Sequence, residues 1–349
     1  MGSLGAGLLV LIFIAAAVAI WVAGMRLAHA TDALDQRLGI GSAFGGLILL
    51  AFVTNLPEIA ITAAAALQDN LGLAVGNLVG GIAIQTVVLS VLDAGSGRSR
   101  PLTFLAASLL LVLEAATVIL VVVVALMGTR LPASTNLGGA SPASVAIVGL
   151  WIGGLLVVRR AQRGLLWRVE MPDADPGRSQ QAKREGKGPM AMPRHPTARV
   201  VAIFTVCALI TLGAGVAIEQ AGEHLASKIG LGGAVFGATF LAAATALPEV
   251  STGLTSVHIG DNQLAFSDIF GGNAFLPVLF LLADLLSGTP ALPSAATTDQ
   301  WMAGLGIVVT AVFAIGLIMR PQRKVLGMGP DSLAVIALYA IGIGGLILI

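Results

Sequence analysis

The chain of 349 residues is 56% hydrophobic and 11% charged, with a formal net charge of +1 and a mean hydropathy of +0.94. Soluble globular proteins carry about 25% charged residues, so this composition excludes a soluble enzyme and a disordered chain. The small net charge argues against a nucleic-acid-binding protein. The single cysteine, Cys207, excludes an intramolecular disulfide. We therefore predict a polytopic membrane protein.

Ten apolar segments are each long enough to cross a membrane as a helix, which takes about 20 residues. Their Ala-, Leu- and Gly-rich runs are continuous, whereas the strands of a membrane barrel alternate between apolar and polar residues. We therefore predict an all-α fold with ten transmembrane helices. The predicted helices lie at residues 4–28, 39–67, 71–92, 102–127, 143–161, 199–221, 230–258, 262–287, 301–319 and 332–349.

The distribution of Lys and Arg predicts the orientation in the membrane, because these residues collect in cytoplasmic loops. With the loop after the fifth helix inside, 17 of the 19 basic residues are cytoplasmic, and only Arg130 and Lys228 are outside. Both termini are then extracytoplasmic, in what we expect to be the bacterial inner membrane. The polar residues 163–198 are predicted to be a cytoplasmic linker. It joins two membrane units, residues 1–162 and 199–349.

The two units contain an internal repeat. Shifting the sequence by 191 residues superimposes LGIGSAFGGLILLAFVTNLPE on IGLGGAVFGATFLAAATALPE, and 17 of the 57 positions from Arg37 to Asp93 are identical in the second copy. An odd number of helices per unit inverts the second copy in the membrane. We therefore predict two inverted five-helix repeats, which is the architecture of alternating-access transporters.

Both copies contain the motif T-x-L-P-E inside a long helical segment. The prolines, Pro57 and Pro248, interrupt helical hydrogen bonding and free backbone carbonyls. The glutamates that follow, Glu58 and Glu249, are costly in the bilayer unless a cation or a proton neutralises them. Carboxylates, carbonyls and Thr hydroxyls form an all-oxygen ligand set that suits Ca²⁺ better than Zn²⁺ or Cu²⁺.

TNLPE and ATALPE, together with GNLVGG and SDIFGG, resemble the alpha-repeats of the sodium/calcium exchanger family in the cation/Ca²⁺ antiporter superfamily. In each repeat, the resemblance implies a central Ca²⁺-binding glutamate, a threonine beside it, and an alanine carbonyl that lines a flanking monovalent-ion site. These residues are Glu58, Thr54 and Ala51 in the first repeat, and Glu249, Thr245 and Ala242 in the second.

The chain departs from the family pattern around the flanking sites. The Ser that usually follows the motif's Thr is replaced by Asn55 and by Ala246. On the third and eighth helices the family usually has a Ser, and an Asn or Asp four residues later. The corresponding pairs here are Gly81 with Gln85 and Gly272 with Leu276. Asn55 and Gln85 are kept as candidate ligands, and the lost oxygens leave proton coupling open beside Na⁺ coupling.

Other polar residues also lie in apolar segments. Asn77 and Asp268 are repeat partners that the resemblance places near the ion path, with helix capping or interhelical hydrogen bonding as the alternative. Glu114 is a functional candidate because it is an intramembrane carboxyl. The alternative interpretation of Glu114 is a structural one, in which its side chain is protonated and bonded to a neighbouring Ser or Thr. Asp93 and Asp284 lie symmetrically near helix ends, where we expect an interfacial role.

These observations predict a secondary antiporter that exchanges Ca²⁺, or a similar divalent cation, for Na⁺ or H⁺ by alternating access. Inorganic cations and the lipid bilayer are its expected partners, and no cofactor is expected. The alternatives are Na⁺/H⁺ exchange without Ca²⁺, and a non-transporting membrane sensor or scaffold that uses the same fold. The sequence has no nucleophile–base pair and no HExxH motif, so we do not expect an enzyme.

Overall fold

A computed structural model describes residues 5–38, 46–162, 196–229 and 246–346. The described part is helical, and each of the ten predicted segments contains a helix, which confirms the all-α prediction. We number these helices α1 to α10. They are α1 (Ala6–Leu38), α2 (Leu56–Leu67), α3 (Leu71–Gly95), α4 (Leu109–Gly128), α5 (Pro142–Gln162), α6 (Thr197–Ile229), α7 (Leu247–Ile259), α8 (Asn262–Ser287), α9 (Thr297–Met319) and α10 (Pro330–Leu346).

Within these described ranges, seven helices are long and apolar enough to cross a membrane: α1, α3, α4, α5, α6, α8 and α9. An eighth span is formed if α2 is joined to the short helix before it, across a bend of 52°. The helix α10 is shorter but apolar. The first half of the predicted seventh segment, residues 230–245, lies outside the described residues. The helix α6 begins at Thr197, two residues before its predicted start at residue 199.

Prolines account for two of the helix breaks. A π-helical turn, Gly46–Leu50, and a short helix, Ala51–Thr54, lead into α2, and the chain bends at Asn55 just before Pro57. In α8, Pro277 lies in a 3₁₀ turn, Leu276–Val278, that divides the helix. Proline has no N–H and clashes with the preceding turn, so a helix can begin with it but cannot continue unchanged through it. These breaks expose polar backbone groups in the interior of the protein.

The helices α3 and α8 form the centre of the molecule. In their most apolar stretches, 61% of the residues of α3 and 67% of those of α8 are buried, compared with 28% in α1 and 28% in α6. The aromatic side chains of Phe266, Phe270 and Phe313 pack together between α8 and α9, with ring centroids 5.6–6.0 Å apart. The helices α1 and α6 pack along each other at the periphery, α1 also against α7 and α6 against α2. The broken helices therefore lie between a packed core and an outer helix pair.

Two glycines let the outer pair approach the broken helices closely. Gly24 on α1 lies against Ser251 on α7, whose Oγ donates to the Trp21 carbonyl at 2.8 Å. Its repeat partner, Gly215 on α6, lies against Pro57 at the start of α2. A Cβ at either glycine would overlap the atoms that face it. Each repeat therefore places its first helix against the proline-broken helix of the other repeat.

Asp93 and Asp284 hold the repeats together at the two ends of the core. The Asp93 carboxylate accepts from the backbone N–H of Gly329 at 2.6 Å and forms an ion pair of 3.2 Å with Lys324. The Asp284 carboxylate accepts from the N–H of Ser141 at 2.7 Å. Gly329 and Ser141 each precede the proline that begins the last helix of the opposite repeat. Both aspartates are therefore buried structural anchors that link one repeat to the other.

Candidate functional site

The two glutamates of the repeated motif lie in the first turns of α2 and α7, directly after Pro57 and Pro248. Their side chains are buried, with 3% of Glu58 and none of Glu249 exposed. The first turn of a helix has free N–H groups and the positive end of the helix dipole, which both favour a carboxylate. The helix breaks that the sequence predicts therefore also position the two acids.

Glu249 is held by a chain of amide groups that comes from the first repeat. The Nε2 of Gln85, on α3, donates to Glu249 Oε1 and to Asn55 Oδ1, at 3.1 Å in both cases. Asn55 Nδ2 in turn donates to the Ala51 carbonyl at 2.7 Å. Within the described residues, Glu249 Oε2 and Gln85 Oε1 are buried and have no hydrogen-bond donor. These two oxygens are available to a cation.

A third carboxylate, that of Asp268 on α8, joins the two halves of the site. Its Oδ1 accepts from the hydroxyl of Thr54 at 3.1 Å, and its Oδ2 accepts from the hydroxyl of Thr252 at 2.6 Å. Thr54 precedes α2 and Thr252 lies on α7, one turn after Glu249. Asp268 therefore connects both broken helices to the central helix α8.

The site is electrostatically negative. Glu58 and Asp268 both lie within electrostatic range of Glu249. No Lys or Arg is among the buried side chains of the described residues. No three Asp, Glu, His or Cys side chains gather into a metal-binding cluster within those same ranges. Any cation would therefore need amide, hydroxyl or carbonyl oxygens in addition to the acids, and a cation or protons would reduce the repulsion between the buried carboxylates.

The site breaks the symmetry of the repeat. The repeat partner of Gln85 is Leu276, which is fully buried and lies 3.4 Å from the place of a Cβ on Gly81. In the other half, a Cβ on Gly272 would lie 2.5 Å from Asn55 Nδ2 and 3.5 Å from Gln85 Oε1. The amide of Asn55 therefore fills the space that a side chain at position 272 would need. One half of the site is lined by amides, and the equivalent half is apolar.

The structure brings most of the predicted site residues together, and two lie outside the described residues. Glu58 and Glu249 interact electrostatically, while hydrogen bonds link Glu249 with Gln85, Asn55 and the Ala51 carbonyl, and link Thr54 with Asp268. No hydrogen bond within the described part connects Asn77 to them, and its Nδ2 has no acceptor there. Thr245 and Ala242 are the two predicted residues that lie outside the described ranges.

The sequence interpretation missed Thr252, although it lies three residues after Glu249 and so on the same face of α7. It also missed a polar row deeper in the core, where Asn273 Nδ2 donates to Thr86 Oγ1 at 2.8 Å. Glu114 lies outside the site: its Oε2 accepts from Ser267 Oγ at 2.7 Å, which is the contact that the structural alternative predicts. Ser267 is the neighbour of Asp268 along α8.

Paired broken helices that carry acids at the centre of a helical membrane protein define an inverted-repeat cation transporter. A family model described as sodium/calcium exchanger protein matches residues 8–158 and 199–348. The chain therefore belongs to the sodium/calcium exchanger family, as the motifs predict. It is a membrane cation antiporter and not an enzyme. The two matched ranges coincide with the two repeats.

The chain is 27% identical to a putative antiporter, CaxA, of Alkalimonas amylolytica over 304 residues, 87% of this chain and 86% of the relative. It is also 27% identical to the inner membrane protein YrbG of Escherichia coli strain K12 over 313 residues, 87% of each chain. Among solved structures, the sodium–calcium exchanger NCX_Mj soaked without Na⁺ and Ca²⁺ matches with a TM-score of 0.66 at 16% identity, covering 97% of this chain and 98% of that one. That structural likeness shows the shared fold.

Proposed function

We propose that this antiporter exchanges Ca²⁺, or a similar divalent cation, for protons by alternating access at a site between Glu58 and Glu249. The observation that carries the proposal is the burial of both glutamates in the first turns of broken helices, where no Lys or Arg of the described residues is buried. A divalent cation or two protons would each balance two carboxylates. The two ions can therefore compete for the same pair of acids.

The ligands support a hard divalent cation. Within the described residues, Glu249 Oε2 and Gln85 Oε1 are buried oxygens without a hydrogen-bond donor. Ca²⁺ takes six to eight oxygen ligands in flexible geometry, whereas Mg²⁺ demands a near-ideal octahedron and keeps several waters. A site assembled from carboxylate, amide and backbone oxygens on separate helices favours the larger and more flexible ion.

The surroundings of the site support protons as the counter-ion. On one side, the N–H groups of Asn55 and Gln85 already donate to the Ala51 carbonyl and to Glu249 Oε1, so these two oxygens are less available to a flanking cation. On the other side, the equivalent position is the apolar Leu276 beside Gly81. Both changes reduce the number of oxygen ligands that would be available to Na⁺ ions at flanking sites. The alternative counter-ion is Na⁺, so the test below compares a Na⁺ gradient with a pH gradient.

The experiment is ⁴⁵Ca²⁺ uptake into proteoliposomes under an imposed pH gradient or an imposed Na⁺ gradient. We expect the pH gradient to drive uptake, and Glu58→Gln and Glu249→Gln each to abolish it. Asp69→Asn is the matched control, because Asp69 is exposed and its φ of 58° suits Asn as well as Asp. Uptake driven only by Na⁺ would overturn proton coupling. Na⁺-driven proton movement without ⁴⁵Ca²⁺ flux would support Na⁺/H⁺ exchange, and binding without turnover would support a sensor.

The proposal includes the placement of the chain in the membrane. Residues 1–162 and 199–349 would be the two inverted repeats, with the linker 163–198 and most Lys and Arg on the cytoplasmic side of a bacterial inner membrane. Both termini would be extracytoplasmic. Cysteine scanning with a membrane-impermeant thiol reagent tests this after Cys207→Ser. A cysteine at the exposed Ala133 should react from outside, and one at Ser179 in the linker only after permeabilisation.

A further inference from the structure

A cleft of about 440 Å³ lies between the outer helices α1 and α6 and is lined by residues other than those of the glutamate site. Its walls are apolar and include Val22, Val206 and Ile210, which are 44%, 55% and 43% exposed. Two exposed arginines, Arg26 on α1 and Arg199 at the start of α6, also line it. Neither arginine forms an ion pair with any residue that the structure describes.

The packing of α1 against α6 places Arg26, which the sequence analysis counts among the cytoplasmic basic residues, deep in the cytoplasmic half of the membrane. Ile20 packs in one cluster with Ile218, Leu27 with Cys207, and Leu34 with Val200, so the helices are antiparallel. In an inverted repeat, the point where a residue meets its own repeat partner lies on the pseudo-twofold axis in the membrane midplane. Repeat partners are 191 residues apart, and in the antiparallel packing of α1 and α6 a residue lies beside its own partner near residue 22 of α1. Arg26 therefore lies about 6 Å along the helix from the midplane, at 1.5 Å per residue.

An exposed arginine at this depth needs a negative partner. The repeat partner of Arg26 on α6 is Ala217, so the symmetry of the fold does not require a charge here. A charged side chain that faces hydrocarbon is costly, and it is tolerated where its head reaches the interface or a polar group reaches it. By the same register, Arg199 lies about 20 Å along its helix from the midplane, close to the headgroup region. The cleft therefore leads from the membrane surface to Arg26.

We propose that this cleft binds an anionic phospholipid, with the lipid phosphate held by Arg199 and Arg26 and an acyl chain along the apolar wall. Charge complementarity selects the occupant, because two guanidinium groups favour a phosphate. The apolar walls exclude a free, fully hydrated phosphate as the main ligand. The cleft is formed by the helix pair that packs on the broken helices α2 and α7, so its occupant would contact the helices that support the two glutamates.

The test is lipid retention by the purified full chain, measured by native mass spectrometry with dioleoyl phosphatidylglycerol, dioleoyl phosphatidylcholine or dioleoylglycerol added. We expect wild type to retain phosphatidylglycerol preferentially. A basic residue near the membrane surface contributes about fivefold, so R26Q/R199Q, which also removes the deeper Arg26, should bind it at least about fivefold more weakly. R159Q/R160Q is the matched control, because these two exposed arginines end α5 and do not line the cleft. It should retain lipid like wild type.

A second variant separates lipid binding from misfolding. Val206→Trp fills the cleft from its exposed wall and keeps both arginines, and it should also lose phosphatidylglycerol while its melting temperature stays near that of wild type. Equal retention of phosphatidylcholine or dioleoylglycerol would overturn the proposal, since the headgroup charge would then have no role. Displacement of the lipid by millimolar inorganic phosphate, or unchanged retention in R26Q/R199Q, would also overturn it.

Discussion

Replacing Gln85 with Leu tests how the site holds Glu249. Leu is the residue that the second repeat has at the equivalent position, so the substitution makes the two halves chemically alike. It removes the N–H donor at 3.1 Å from Glu249 Oε1, the contact with Asn55, and the unpaired oxygen Gln85 Oε1. A buried hydrogen bond to a charged group contributes about 1.5–3 kcal/mol, which corresponds to about 10- to 150-fold in affinity.

We therefore expect Gln85→Leu to weaken the Ca²⁺ dependence of transport by at least about tenfold, because the ionised form of Glu249 loses its donor. A proton should then compete more strongly with the cation, and the pH profile of transport should move to higher pH. Both quantities are measured as ⁴⁵Ca²⁺ flux against Ca²⁺ concentration at several pH values. Gln68→Leu is the control, because Gln68 is exposed at the end of α2. A Ca²⁺ dependence of Gln85→Leu within twofold of wild type would refute the reasoning.

Three further changes have defined outcomes. Gly272→Ala should displace the Asn55 amide and reduce Ca²⁺ affinity. In a double-mutant cycle of flux measurements, the loss of affinity in the variant with both Gly272→Ala and Asn55→Ala should be smaller than the sum of the two single losses. Gly215→Ala should slow exchange at least fivefold, because overpacking costs about 1–3 kcal/mol, whereas Gly213→Ala, which has open space, should not. Glu114→Gln should leave both the pH profile and the melting temperature unchanged if that carboxyl is protonated and structural; a lost pH dependence would show that it carries a transported proton.

The helices and the two acids could be predicted from the sequence because the signals are local. Continuous apolar runs determine the segments, and a proline followed by a glutamate marks both the break and the acid. The repeat strengthens the prediction, because Glu58 and Glu249 occupy equivalent positions in the two copies of the motif. The shared motif also identifies the family, which the family model confirms over both repeats.

The asymmetric contacts could not be predicted in this way. Asn55 and Gly272 are separated by more than 200 residues, and their relation is a distance between two side-chain positions rather than a pattern along the chain. Asn77 and Asp268 are repeat partners, yet among the described residues only Asp268 bonds to the broken helices. Repeat symmetry predicts that such partners have equal roles. Substitutions that break the symmetry at the site remove the basis of that prediction.

Symmetry and asymmetry occur in different parts of this molecule for a physical reason. The aspartate anchors Asp93 and Asp284, and the close-approach glycines Gly24 and Gly215, occur in both repeats. Inverted repeats alternate by exchanging the conformations of their two halves, so contacts that hold or guide those halves must serve equally in both states. The proposed ion site lies between the halves and would be shared by both states. Its two sides can therefore diverge, as Gln85 and Leu276 do, and change ion selectivity while alternation is preserved.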